Sequence, residues 1–140
     1  MIVTAEDLDI GARTVAGEAR GETLLGQQAV AWVILNRARK GGWWGNTIAE
    51  VCLKANKEGK HQFSTWNAGD PNRRHIEVLT ANDKDYQWAL YAMLGAITGL
   101  ASDPTHGSCH YHEMTVDPAW AIGVTPVASI GRHRFYDSIA

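Results

Sequence analysis

Two carboxylates, Glu18 and Glu22, stand four residues apart near the start of the chain. Residues at this spacing share one face of a helix, so a continuous helix would point both acids the same way. Gly17, Ala19 and Gly21 surround them with almost no side-chain bulk, which would let a large substrate approach closely. A carboxyl group held against apolar surroundings has a raised pKa and can act as a general acid near neutral pH. Cleavage of a glycosidic bond requires this chemistry, and Glu18, at the edge of an apolar helical stripe, is the candidate acid.

The last third of the chain offers a different chemistry, that of metal ligands. Its cluster contains His106, His110, His112 and His133, together with Cys109 and Glu113. On a strand, His110 and His112 would lie on one face, as in some zinc sites. A zinc-dependent amidase or peptidase is therefore the alternative function, although the helical His-Glu-x-x-His signature is missing. The favoured interpretation has these histidines lining a groove and hydrogen-bonding sugar groups, with no metal and no cofactor.

A polar segment in the middle of the chain carries the sequence Gln62-Phe63-Ser64-Thr65-Trp66. Phe63 is expected to anchor this segment in the core, which would leave the neighbouring amide and hydroxyl groups free to bind N-acetyl sugars. No Gly-x-Ser-x-Gly turn surrounds Ser64, which argues against a serine nucleophile. The sequence around Cys109 resembles no cysteine-hydrolase signature.

Six tryptophans are a high number for 140 residues. The broad apolar face of an indole can pack on a sugar ring as well as fill a core. Trp32 and Trp88 lie in helical patterns and are expected in the core. The tryptophans of turn-rich segments, which are better candidates for sugar contacts, are Trp43, Trp44, Trp66 and Trp120.

The composition limits the class of partner. A formal net charge of −2 argues against nucleic acid, because phosphate binding usually needs a clear basic excess. No apolar run is long enough to cross a bilayer, so no stable membrane association is expected. The first residues carry no basic segment followed by an apolar one, so no secretory signal is predicted. The two cysteines, Cys52 and Cys109, are expected to be thiols, although they could pair.

The elements that must position these residues are mostly helical. Thr4 and Asp7 resemble a capping box that starts the first helix, and Gly21 ends that helix before a second begins near Thr23. Residues 54–74 are expected to form a long functional loop. The remaining predicted elements are a short helix that starts at a capping box at residues 47–50, a short helix at 72–79, a helix at 83–98 and short strands at 108–112, 127–130 and 134–136. We predict one α+β domain over residues 1–140, mostly helical, with a small β-hairpin or sheet in its C-terminal third.

The core faces of the two longest helices can also be predicted from apolar spacing. The second helix is expected to be central, with Leu25, Ala29, Val30, Val33 and Ile34 facing inward. The inward face of the helix at 83–98 is expected to comprise Tyr86, Ala89, Leu90, Met93, Leu94 and Ile97.

Several of these motifs, taken in order, resemble the SleB/CwlJ-type cell wall hydrolases, which include spore-cortex-lytic enzymes and their phage and bacterial relatives. The resemblance covers nearly the whole chain. It is carried by Gly17-Glu18-Ala19-Arg20-Gly21-Glu22, Gly26-Gln27, Ala29-Val30-Ala31, Val33-Ile34, Asn36-Arg37, Gln62-Phe63-Ser64, Asp103-Pro104-Thr105-x-Gly107, Tyr111-His112, Pro118-x-Trp120 and Ile130-Gly131-x-His133-x-Phe135.

The resemblance implies a lysozyme-like catalytic domain that cleaves the β-1,4 bond between N-acetylmuramic acid and N-acetylglucosamine as a lytic transglycosylase. It implies that Glu18 is the catalytic acid and leaves the role of Glu22 open between orienting Arg20, capping the next helix and tuning Glu18. If Glu22 or Asp103 held a water opposite Glu18, hydrolysis would result instead. The expected substrate-binding residues are Glu22, Gln62, Ser64, Thr65, Tyr111, His112, Trp120 and His133.

The same resemblance suggests a setting for the activity. A compact phage endolysin would be made in the host cytoplasm and would reach the cell wall after release through a permeabilised membrane. The expected partner is the peptidoglycan glycan strand, and the protein is expected to be a monomer. The zinc-dependent alternative would be an N-acetylmuramoyl-L-alanine amidase or peptidase that uses His106, His110, His112 and His133.

Overall fold

The first helix begins where the sequence predicts. In this computed structural model, which describes residues 1–139, the Thr4 hydroxyl accepts the Asp7 N–H at 3.1 Å and the Asp7 carboxylate accepts the Thr4 N–H at 3.0 Å. This reciprocal pair is a capping box. Five α-helices follow one another along the chain: α1 (Ala5–Glu18), α2 (Leu24–Lys40), α3 (Ile48–Leu53), α4 (Pro71–Val78) and α5 (Lys84–Thr98).

A three-stranded antiparallel sheet follows the helices. Its strands β1 (His110–Glu113), β2 (Ala128–Ile130) and β3 (His133–Tyr136) lie in the spatial order β1-β3-β2. In the β1–β3 register Tyr111 pairs with Phe135 and Glu113 with His133. Cross-strand partners share a face, so these four side chains point to the same side of the sheet. The predicted mostly helical α+β fold with a small C-terminal sheet is confirmed.

Helix α2 is the centre of the core, as its apolar spacing predicts. Val30, Val33 and Ile34 are fully buried, and α1, α3 and α5 pack around this helix. Two predicted core positions are wrong, because Leu25 is 52% exposed and Leu94 is 40% exposed. Leu25 lies in the first turn of α2, beyond the neighbouring helices. On α5 the small residues Ala89, Ala92 and Ala96 face inward with Met93 and allow close packing of the helix.

Residues 54–74 are more ordered than their composition predicts. Ala55 forms a β-bridge with His61, and a 3₁₀ helix covers Ser64–Trp66. The Asp70 carboxylate then caps α4 by accepting the Asn72 N–H at 2.8 Å. Phe63 is 1% exposed and anchors the segment in the core as predicted. The segment therefore holds residues 62–65 in place beside the end of α1.

Short turns and two cysteines complete the fold. Two other 3₁₀ turns cover Gly42–Trp44 and Ala119–Ala121. Cys52 is buried and Cys109 half-buried, and both are free thiols, as expected. Within residues 1–139 none of the helices combines the length and the apolar character that a membrane span requires.

Asp7 joins α1 to α3 and gives the first prediction. Its second carboxylate oxygen accepts the Ala49 N–H at 2.9 Å, and the side chain is almost fully buried. Burial raises the pKa of Asp7, but the hydrogen bonds from Thr4 and Ala49 more than offset this and hold the pKa below its ordinary value. The ionised group therefore stabilises the fold above the ordinary pKa of about 3.9, and this contribution is lost as pH falls through the folded-state pKa.

We expect Asp7→Ala to lower the free energy of unfolding by about 2 kcal/mol at pH 7, because it removes a cap and leaves a buried N–H unpaired. The difference from the unmodified protein should shrink below about pH 4, where Asp7 of the unmodified protein becomes protonated. Urea unfolding at several pH values measures both effects. Exposed Glu58, replaced by Ala, is the control. A pH-independent difference would contradict the assignment.

Candidate active site

A cavity of about 500 Å³ lies between the end of α1, the 62–64 segment and the sheet. Its walls are more polar than apolar, with charged groups at several points. The lining residues are Gly17, Glu18, Arg20, Arg37, Gln62, Phe63, Ser64, Asn72, Tyr111, His112, Glu113, Val116, Pro118, Trp120, Arg132 and His133. A cavity of this size is in the range of ligand-binding sites.

Glu18 is the last residue of α1 and is half-buried in this cavity wall. The Tyr111 hydroxyl donates to one carboxylate oxygen, Oε1, at 2.6 Å. The Thr65 backbone N–H donates to the other, Oε2, at 3.1 Å. One donor comes from β1 and the other from the 3₁₀ helix, so two segments distant in sequence hold one carboxylate in a fixed orientation.

Opposing effects set the pKa of Glu18. Burial raises it and is the largest effect, while the hydrogen bonds from Tyr111 and Thr65 lower it. The negative charge of Asp70 adds to the rise, and the positive charge of Arg37 opposes it. The net result is a pKa above the ordinary glutamate value, as the sequence predicts for an acid in apolar surroundings. Burial also raises the pKa of Tyr111 well above its ordinary value, so its hydroxyl remains a hydrogen-bond donor.

Arg37 is a buried cation beside the carboxylate. Its guanidinium lies 4.1 Å from the ring centre of Trp44 and 4.9 Å from that of Phe63, and its Nε donates to the Cys109 carbonyl at 2.8 Å. Cation–π contacts and one backbone acceptor thus hold the charge in place. The sequence analysis did not select Arg37 as a site residue. The signal that could have identified it is the helical spacing of Arg37 from Val30 and Val33, which places it on the apolar face of the central helix.

The absence of a side chain at Gly17 leaves room for Thr65 as well as for a substrate. A Cβ atom at Gly17 would lie 2.0 Å from the Thr65 Oγ1 atom, so any side chain there would displace Thr65. Thr65 itself is fully buried and does not line the cavity. Its predicted role in contacting substrate with its hydroxyl is corrected accordingly, because it reaches the site only through the N–H that binds Glu18.

Glu22 also lies apart from the cavity, so the expectation that it contacts substrate is wrong. Helix α1 ends at Glu18, so the four-residue helical spacing does not apply. The Glu22 side chain is only 8% exposed, and its Oε1 accepts the Arg132 N–H at 2.8 Å. Gly131, at φ +55°, allows this contact because it has no side chain. A Cβ atom there would lie 2.3 Å from Oε1 and would clash with it. Glu22 therefore ties residues 19–23 to the β2–β3 turn.

The predicted histidine cluster separates into different places. His112 and His133 line the cavity, His110 lines a second cavity with Cys109, and His106 is exposed in a turn. Both ring nitrogens of His112 are engaged, one with the Glu113 carbonyl and one with the Tyr136 hydroxyl, each at 2.8 Å. Among residues 1–139 no group of three His, Cys, Asp or Glu side chains could hold a metal ion. The four histidines of the zinc alternative do not converge.

The other expected contact residues do meet in the cavity. Gln62 and Ser64 are exposed on one side, and Trp120 is 37% exposed on the other. The Trp120 ring is held against the rings of His110, His112 and Tyr136, at centroid distances of 5.3, 5.6 and 5.3 Å. Besides Arg37, the sequence analysis missed four polar residues of the lining: Arg20, Asn72, Glu113 and Arg132.

The tryptophan predictions are correct only in part. Trp32 is buried as predicted, but Trp44 and Trp66 are also buried and belong to the core rather than to a sugar platform. The Trp66 indole N–H donates to the Thr14 hydroxyl at 2.9 Å. Trp43 is 61% exposed and lies outside the cavity lining, whereas Trp88, expected in the core, is 51% exposed.

Comparisons with known proteins identify the family of this chain. Residues 21–136 match the family model described as Cell Wall Hydrolase, a match that begins just after Glu18. A spore cortex-lytic enzyme of Bacillus cereus is 33% identical over 130 residues, which is 92% of this chain and 43% of that protein. The chain thus spans less than half the length of this curated relative.

Two solved structures resemble the whole chain. The catalytic domain of the Bacillus cereus SleB protein is 30% identical with a TM-score of 0.75, and the match covers 97% of this chain and 93% of that one. The catalytic domain of the germination-specific lytic transglycosylase SleB from Bacillus anthracis is 31% identical with a TM-score of 0.71, and the match covers 96% of each chain.

The hydrogen bond from Tyr111 gives a prediction about the pKa of Glu18. Tyr111→Phe removes a donor that favours the ionised carboxylate while leaving the site buried, so the pKa should rise further. A ¹³C NMR titration of the Glu18 carboxyl carbon measures the shift. Tyr136→Phe is the matched control because the Tyr136 hydroxyl contacts His112 and should leave Glu18 unchanged. An unchanged or lower pKa in Tyr111→Phe would show that the hydrogen bond has no such effect.

Proposed function

Since this chain belongs to the cell wall hydrolase family, we propose that it cleaves the glycan strands of peptidoglycan and that Glu18 is the reacting acid. The observation that carries the proposal is the placement of Glu18, a carboxyl group with a raised pKa that is held by two donors in the wall of a polar cavity. The proposed target is the β-1,4 bond between N-acetylmuramic acid and N-acetylglucosamine.

In the first step the protonated Glu18 carboxyl donates its proton to the glycosidic oxygen. The bond from that oxygen to C1 of the muramyl residue breaks through an oxocarbenium-like transition state. Burial supports this step because it raises the pKa of Glu18 and so favours the protonated carboxyl group. The Tyr111 hydroxyl and the Thr65 N–H then stabilise the carboxylate that remains.

In the second step the Glu18 carboxylate removes the proton of the muramyl C6 hydroxyl. The C6 oxygen forms a bond to C1 and gives a 1,6-anhydro sugar, so the reaction consumes no water. Glu18 is protonated again at the end of the cycle. One carboxylate therefore serves first as acid and then as base, which requires a pKa near the working pH.

Hydrolysis would instead require a second group to activate water opposite Glu18. The two acids considered for this role are bonded elsewhere. Glu22 binds the β2–β3 turn, and Asp103 accepts hydrogen bonds from Asn36, Thr105 and Gly107. Glu113 is the other carboxylate lining the cavity in the described part of the chain. The placement of Glu22 and Asp103 argues against these two acids as the group that activates water.

The rest of the cavity wall suits a sugar chain. Gln62 and Ser64 present an amide and a hydroxyl, and Trp120 presents an aromatic surface. Burial lowers the pKa of His133, which favours a neutral imidazole that can donate or accept a hydrogen bond. We propose that these four residues, with Tyr111 and His112, contact the glycan strand.

We further propose that the protein acts as a monomeric phage endolysin. It would be made in the host cytoplasm and would reach the wall once the membrane is permeabilised. The zinc-dependent amidase has no converging ligand set among the described residues, and its products would also differ from those of a glycosidase.

Glu18→Gln tests the catalytic assignment because it removes the transferable proton and preserves the size of the side chain. We expect release of sugar fragments from purified peptidoglycan to fall by at least about 10³-fold, as expected for loss of a general acid. The unmodified protein should release muropeptides with 1,6-anhydro ends, identified by mass spectrometry. Thermal unfolding of the variant checks that the fold is intact.

Glu22→Gln is the comparison variant within the same motif. It should lower the stability of the fold, because Glu22 is buried. It should lower activity far less than Glu18→Gln does, because Glu22 lies outside the cavity lining. Substantial activity in Glu18→Gln would reject the proposal. Reducing ends among the products would indicate hydrolysis, and free stem peptides would indicate the amidase.

The endolysin proposal predicts a delay in lysis. Bacteria that express the chain without an added secretion signal should remain intact until chloroform permeabilises the inner membrane, and should then lyse. Cells that express Glu18→Gln should remain intact under both conditions. Lysis without permeabilisation would show that the chain crosses the membrane by another route and would reject the endolysin assignment.

A further inference from the structure

Helix α5 carries two exposed aromatic residues on the side away from the core. Trp88 is 51% exposed and Tyr91 is 58% exposed, whereas Ala89 and Met93 of the same helix are fully buried. The rings of Trp88 and Tyr91 meet edge to face with their centroids 5.8 Å apart. This geometry holds the Trp88 indole in place while one side remains open to solvent. This pair is neither part of the buried core nor part of the cavity lining.

Trp88 borders a shallow depression of about 50 Å³, where α1 ends and α2 and α5 begin. The depression is lined by Ala16, Ala19, Arg20, Gly21, Gln27, Asp85 and Trp88. Arg20 also lines the catalytic cavity, and its guanidinium donates to the Asn72 carboxamide of that cavity at 3.2 Å. The depression therefore continues the cavity across a single side chain.

The side chains that line this depression are of types that can bind sugars. An indole surface can pack on the C–H face of a sugar ring, and groups at its edge can bind the hydroxyls. Arg20 supplies donors, Asp85 supplies acceptors and Gln27 supplies both. We propose that Trp88, Arg20, Gln27 and Asp85 form an accessory subsite that binds the same glycan strand beyond the cavity, an inference that rests on the proposed function.

Two observations favour a glycan over a protein partner at this surface. The first is continuity with the cavity through Arg20, since a polymeric substrate extends past the bond that is cleaved. The second is the carboxylate of Asp85, which lines the depression together with the indole. The Asp85 side chain is 61% exposed, and a protein that covered the aromatic pair would have to remove this carboxylate from water at a cost in free energy. Sugar hydroxyls can replace that water.

The test compares Trp88→Ala with Trp43→Ala. Trp43 is 61% exposed and lies outside both the cavity and the depression, so it is a matched control. Each substitution is made in the active protein and in Glu18→Gln, which allows binding to be measured without cleavage. The substrates are long glycan strands and a short tetrasaccharide, both freed of stem peptides.

We expect Trp88→Ala to raise KM on long strands roughly three- to tenfold, the range of one aromatic contact, with kcat unchanged. The dissociation constant of the Glu18→Gln background for long strands should rise by the same factor. Turnover of the tetrasaccharide should be unaffected, and Trp88→Phe should restore much of the binding. Trp43→Ala should match the unmodified protein on both substrates.

Three results would overturn the inference. Equal behaviour of Trp88→Ala and Trp43→Ala would show that the surface does not bind glycan, and a loss on the tetrasaccharide as well would show a general defect. A dimer in solution that Trp88→Ala dissociates would assign the surface to a second copy of the chain. Failure of the proposed function is distinguishable, because the unmodified protein would then release no glycan fragments at all.

Discussion

The candidate active site depends on holding one carboxyl group largely away from bulk water while giving each of its oxygens a hydrogen-bond donor. Glu18 receives these donors from Thr65 and Tyr111, which lie 47 and 93 residues further along the chain. No local structure could supply them, so the helical body must hold both the 62–65 segment and β1 against the end of α1. Phe63 anchors the first in the core, and Arg37 fixes the second through the Cys109 carbonyl.

This arrangement balances two opposite requirements. An acid that must also serve as a base needs a pKa raised by burial. The carboxylate formed after proton transfer must nevertheless not be too high in free energy. The two donors and the nearby guanidinium of Arg37 stabilise that carboxylate without exposing it to water. Gly17 belongs to the same arrangement, because its missing side chain lets Thr65 approach.

Local signals in the sequence predict the elements well. The first two helices begin where expected, at the caps Thr4 and Thr23, because capping depends on neighbouring residues alone. The left-handed Gly99 ends α5 through the same kind of local effect. Glu18 could be found because its motif and the apolar stripe beside it agree. Leu94 and Trp88 could not be placed, because helical spacing indicates an apolar face but not whether another element covers it. The roles of Thr65 and Arg37 depend on tertiary contacts that no local pattern records.

The two acids of one short motif show how the end of a helix can separate residues of the same type. Because the helix ends at Glu18 and Gly21 adopts φ +80°, Glu22 turns away and binds the Arg132 N–H. It still connects with the site, since it lies 3.7 Å from the His133 ring nitrogen Nδ1 and that ring packs against Tyr111 at 4.9 Å. Tyr111 in turn holds Glu18. In the proposed mechanism the first acid carries the chemistry, while the second acid binds the turn of the sheet.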